Sequence, residues 1–198
     1  MILLKENYKN IINQLTDKQI VQQLYLSQAL IFLIAIVLGL FIFDSWSEFT
    51  NLFIFNDWSI LSIGFLAGIV IVQIDILFMR YLPKQYFDDG GVNERIFRNQ
   101  SIGSIFVIAL TVAIVEEILF RGVIQSQFGL IISSLVFAIV HYRYLFNPFL
   151  FANVVVISFV FGLIFYYTEN LLVTIVMHFI VDFLLGIIYR NKFNKKGG

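Results

Sequence analysis

No cysteine occurs in the 198 residues, which excludes disulfides, thiolate zinc sites and a cysteine nucleophile. Charge is nearly as scarce. Asp, Glu, Lys and Arg make up 13% of the chain, cancel to a net charge of zero and offer no basic patch, so no nucleic-acid partner is expected. Proline and histidine occur twice each. What fills the chain is apolar: 60% hydrophobic residues and a mean hydropathy of +0.89 are the composition of an integral membrane protein. Abundant Ile, Phe and Asn point to an AT-rich bacterial source, so the lipid bilayer of a bacterial cytoplasmic membrane is the expected location.

A helix crosses the hydrocarbon with about 20 apolar residues at 1.5 Å each. Six stretches qualify, at about 25–43, 59–80, 102–126, 128–146, 149–167 and 171–190, which predicts an all-α membrane protein of about six transmembrane helices. Residues 1–24 mix Lys5, Lys9 and Lys18 with Ile11, Ile12, Leu15, Ile20 and Leu24, the spacing of an amphipathic segment lying on the membrane surface. Residues 25–100 then read as two accessory transmembrane helices and a polar loop with an Asp-Asp-Gly-Gly break, 101–190 as the core, and 191–198 as a basic tail. Twelve of the thirteen Lys and Arg residues fall on one side of such a bundle. That predicts cytoplasmic termini and leaves Arg121 alone in the other half. Gly64 and Gly68 form a small-xxx-small pair suited to close helix contact.

The informative stretch is Thr111–Asp182, which holds Glu116, Glu117, Arg121, His141, His178 and Asp182 within apolar segments. A charge at mid-bilayer costs roughly 2.5–3.5 kcal/mol on insertion scales, so such residues are absent unless employed. Residues four apart share a helix face, pairing Glu117 with Arg121, Phe137 with His141, and His178 with Asp182. Glu117 and Arg121 read as an internal ion pair, which leaves Glu116 without a local partner. If the third and fourth spans turn near Phe128-Gly129, Glu116 and His141 lie about a dozen residues either side of the turn, at matching depth.

Such a group has two chemical uses. Glu116 and His141 around one water make a general base, whereas Glu116, His141 and His178 are a possible ligand set for a divalent metal such as Zn. Asp182 is placed to orient the His178 ring or to add a ligand. Asp75, near Arg80, is read as a helix-packing residue and left out of the site. Ser133, Ser134 and Ser158 are read as hydrogen-bonding between helices.

At these residues the chain resembles the CPBP intramembrane protease family, which includes the CAAX proteases and the bacteriocin-processing proteins also labelled Abi. The motifs are EEILFR (Glu116 to Arg121), FAIVH (Phe137 to His141) and HFIVD (His178 to Asp182), in order, over about residues 100–190. The resemblance implies helices around a membrane cavity. In it Glu116 and His141 activate a water against a peptide carbonyl, His178 and Asp182 support the oxyanion or the site, and Glu117, Arg121 and Phe137 frame it. Asp182 stands where many members have Asn; an ionised aspartate donates no hydrogen bond, which favours a His-orienting or ligand role. The expected substrate is a membrane-embedded peptide or lipidated protein. Two alternatives accompany this expectation: an acyl transferase acting on a lipoprotein amine from the same site, and a non-catalytic immunity or scaffold protein.

Overall fold

A computed structural model of the chain describes residues 2–194. Met1 and residues 195–198, including Lys195 and Lys196 of the expected basic tail, lie outside the described residues, as do the side chains of Lys5 and Lys9. The described residues form helices and no strands: α1 (Ile2–Gln14), α2 (Asp17–Ile42), α3 (Trp46–Thr50), α4 (Leu66–Tyr81), α5 (Val92–Phe97), α6 (Ile102–Glu117), α7 (Ser126–Val140), α8 (Pro148–Thr168) and α9 (Leu171–Asn194). π-helical turns precede α4 at Ile60–Phe65 and join α6 to α7 at Ile118–Gln125.

The first spanning helix begins well before residue 25. Thr16 starts α2 with a capping box: its hydroxyl accepts from Gln19 N, and Gln19 Oε1 accepts from Thr16 N at 2.8 Å. Only Ile2–Gln14 is therefore a separate amphipathic helix. Its last carbonyls are satisfied by Arg95, which donates to Ile12 O at 2.8 Å and to Leu15 O. Arg95 and Arg98 also hold Asp17, at 3.0 and 2.6 Å. The Asp-Asp-Gly-Gly signal is a true turn, with Gly90 and Gly91 at φ 79° and 77°. The connection after it is not wholly polar, because α5 packs Val92, Ile96 and Phe97 against Ile20, Ile105 and Ile108.

Five helices are long and apolar enough to cross a bilayer: Asp17–Ile42, Ile60–Tyr81, Ile102–Val140, Pro148–Thr168 and Leu171–Phe193. The third runs 39 residues, about twice what a membrane needs, and it is broken at Gly129 (φ 82°, ψ 171°). Phe120 and Phe137 would be roughly 25 Å apart on a straight helix. Their ring centroids are 4.9 Å apart, so the chain doubles back as a hairpin.

The returning arm stops at Val140, giving about 17 Å of helix, and passes through His141 into a 3₁₀ turn, Tyr142–Phe146. The expected span 128–146 is therefore a half-length helix. It ends because His141 leaves helical geometry (φ −79°, ψ 40°) and turns Nδ1 onto the Phe137 carbonyl at 2.8 Å.

Ile118–Gln125 is enclosed on nearly every side, with Leu119, Phe120, Arg121, Gly122, Val123, Ile124 and Gln125 all buried. An apolar helix enclosed in this way is a bundle's core. α2 lies at the rim, where Leu26, Leu30, Leu33 and Phe41 are exposed as lipid-facing residues should be. Gly64 and Gly68 bring their segment against α9. A Cβ at Gly64 would lie 2.6 Å from Val173 O, and one at Gly68 2.9 Å from Met177 O, so this pair serves packing within the chain.

Candidate active site

Glu116 and Glu117 close α6 where it passes into π-helical winding, a distortion often found at functional sites. Their side chains take different neighbours. Glu117 and Arg121 are fully buried, with Arg121 Nε 3.5 Å from Glu117 Oε2. Arg121 also donates to Ser158 O at 3.0 Å and lies 4.6 Å from the Phe137 ring centroid and 5.5 Å from that of Phe161. Ser133 donates to Phe120 O at 2.6 Å and Ser134 to Ser158 O at 3.4 Å, the interhelical role read from the sequence.

The other oxygen of Glu117, Oε1, stands 3.0 Å from His178 Nδ1, while His178 Nε2 faces Asp182 Oδ2 at 3.6 Å. The carboxylate that orients His178 is therefore Glu117 from α6. Asp182, its i+4 neighbour, stands outside hydrogen-bond distance. Pairing on one helix face brought Asp182 near the ring, but the packing of α6 on α9 put a better acceptor on the opposite edge.

Glu116 does have a partner, and it comes from α2. Gln28 Nε2 donates to Glu116 Oε1 at 2.9 Å, with both side chains buried. Glu116 Oε2 has no hydrogen bond among the described residues and faces His141 Nε2 at 3.8 Å. Because His141 Nδ1 meets a carbonyl, which only accepts, Nδ1 carries the proton and a neutral ring presents its lone pair at Nε2. Phe137 lies against the same ring, with centroids 4.4 Å apart, and Tyr144 stacks at 6.1 Å with planes 4° apart.

These groups open on one cavity of about 560 Å³, lined by Glu116, His141, His178 and Asp182 together with Gln28 and Asp75. Asp75 does pack against another helix, accepting from Asn153 Nδ2 at 3.3 Å, yet it also lines the cavity and so belongs to its surroundings. Gln28 was invisible to a reading that followed ionisable groups. Its one signal is that, with Ser27, it is the last polar residue before the uninterrupted apolar run 29–43.

The donors do not fit the metal set Glu116, His141 and His178. Among the described residues no three His, Asp or Glu side chains stand close enough together to hold an ion.

A family model described as Rce1-like, type II CAAX prenyl endopeptidase, matches residues 98–184, the stretch holding all four cavity-lining candidates of α6 to α9. A Bacillus subtilis (strain 168) protein described as "Uncharacterized protein YpbD" is 39% identical over 157 residues, covering 79% of this chain and 83% of that one. No solved structure matches the chain.

Proposed function

Since the chain belongs to the Rce1-like family of type II CAAX prenyl endopeptidases, we propose that it is an intramembrane endopeptidase hydrolysing an amide bond of a membrane-associated peptide or lipidated protein. The observation that carries this reading is the facing of Glu116 Oε2 and His141 Nε2 across 3.8 Å, each held by a bond to its other heteroatom. Two lone pairs at that distance are bridged by one water donating a hydrogen to each. The water's own lone pair then points into the cavity.

In this mechanism the water oxygen bonds to the substrate carbonyl carbon while its proton passes to Glu116. The carbonyl oxygen becomes an oxyanion, for which His178, its ring carrying both protons between the carboxylates of Glu117 and Asp182, donates from Nε2–H. The C–N bond breaks as Glu116 returns the proton to the leaving nitrogen, giving a carboxylic acid and an amine. Glu117 holds His178 in place, and Arg121 holds Glu117. The lipid-facing wall around the cavity limits the water that competes for the substrate carbonyl.

The twelve-to-one distribution of Lys and Arg supports cytoplasmic termini. The contacts of Arg95, Arg98 and Arg143 gather at the end of the bundle where α1 lies, and Trp46 and Trp58 are exposed at the other.

The test is comparative mass spectrometry of membrane peptides and lipoproteins from cells carrying the wild type or Glu116→Gln at equal expression. Uncut precursors accumulate in the variant if the reading holds. Loss of an acyl mass from intact lipoprotein amines would instead mark an acyl transferase, and no change in either pool a non-catalytic partner.

A further inference from the structure

We infer that Gln28 of α2 is a positioning residue for Glu116, so that a helix outside the matched segment 98–184 is part of the catalytic apparatus. This rests on the reading of Glu116 as the base. α2 is the most lipid-exposed of the spanning helices, with only Ile20, Gln28 and Ala35 turned fully inward. A polar side chain on that narrow stripe is costly unless it is hydrogen-bonded. Gln28 spends its amide hydrogen on Glu116, 88 residues away.

The direction of the bond follows from chemistry, because a carboxylate only accepts and the nitrogen must face it. That turns Gln28 Oε1 away, and this buried atom has no hydrogen-bond partner among the described residues. A leucine would fill the same stripe without stranding a buried acceptor. The glutamine is thus a poor choice for packing alone.

What it accomplishes is orientation. The terminal torsion of a glutamate is broad and roughly twofold, so an untethered Glu116 would present either oxygen in a spread of directions. The bond to Oε1 fixes the plane of the carboxylate and leaves Oε2 as the atom turned to His141. His141 is fixed in the same manner, through Nδ1 and the Phe137 carbonyl. The two partners of the water are thus each held by one bond on the side away from it, one from α2 and one from α7.

The experiment uses the full chain in lipid nanodiscs and a prenylated fluorogenic peptide ending in a CAAX sequence. Wild type, Glu116→Gln, Gln28→Leu and Gln28→Met are compared at equal folded fraction, read from thermal unfolding. Gln28→Leu removes the donor, and Gln28→Met removes it while keeping the length and flexibility of the side chain. Both are expected to lower kcat at least tenfold with KM within twofold of wild type, the pattern of a group acting through the base. Wild-type kcat per folded molecule in either variant, including a variant that merely melts early, overturns the role of Gln28 and leaves Glu116 as the base. An active Glu116→Gln overturns the reading of Glu116 and this inference with it.

Discussion

Glu117 Oε1 and His178 Nδ1 are 3.0 Å apart although 61 residues separate them in sequence. This contact ties α6 to α9 at the depth of the candidate site and joins Arg121, Glu117, His178 and Asp182 into one row that runs from the buried Arg121 to the half-buried Asp182. The pair Glu116 and Glu117 therefore divides its work: adjacent residues point to opposite sides, one toward His141 and one toward His178.

The first prediction concerns the two groups around the water. Glu116→Gln and His141→Ala should each lower the cleavage rate by about 10²–10⁴-fold, the usual worth of a positioned general base. Rates on a prenylated peptide in nanodiscs check this. A His141→Ala enzyme within threefold of wild type would remove His141 from the mechanism.

Arg121 carries a second prediction. Replacing it with Met should leave the buried Glu117 held by His178 alone, costing about 3–5 kcal/mol, since both side chains of the lost pair are fully buried. Thermal unfolding in detergent should show an early transition. The double variant Arg121→Met with Glu117→Gln should recover part of that loss without recovering activity.

Close packing of α4 on α9 yields a third. At Gly68 a Cβ would come within 2.9 Å of both Met177 O and Ile180 Cβ, and backbone has little room to yield. Gly68→Ala should cost about 1–3 kcal/mol as an overpacked contact. Gly103→Ala, where only Ser101 Oγ at 3.8 Å is near, should be almost silent in the same melt.

A fourth prediction concerns pH and the loop before α9. Hydrogen bonds from Asn170 first, and from Ser59, hold the Asp57 carboxyl below its ordinary value of 3.8. A depressed carboxyl stabilises the fold above its unfolded pKa and loses that contribution as pH falls through the folded value. Asp57→Asn should therefore melt earlier than wild type at neutral pH, with the gap closing below about pH 4. A gap that widens in acid would contradict the assignment.

The absence of cysteine makes the topology directly measurable. Single cysteines at the exposed positions Lys84 and Ser47 should react with a membrane-impermeant maleimide from opposite faces, Ser47→Cys in intact cells and Lys84→Cys only after permeabilisation. Labelling of both in intact cells would refute cytoplasmic termini.

By itself the sequence determined the membrane environment, because long apolar runs admit no other solvent, and it singled out Glu116, His141, His178 and Asp182, which line one cavity, because a charge inside an apolar run is costly. Helical periodicity also paired Glu117 with Arg121 and matched the depths of Glu116 and His141 across the turn near Gly129, as the structure bears out. Only the tertiary structure decided which carboxylate holds His178, since Glu117 and Asp182 compete for the ring and the choice depends on how α6 seats against α9. It likewise decided that the fourth apolar stretch stops half-way, because the bend at His141 arises from a ring-to-carbonyl bond that no periodicity encodes. Gln28 is the clearest case. An uncharged amide carries no local sign of its partner, and its partner lies 88 residues away, brought within 2.9 Å only by the packing of one helix on another.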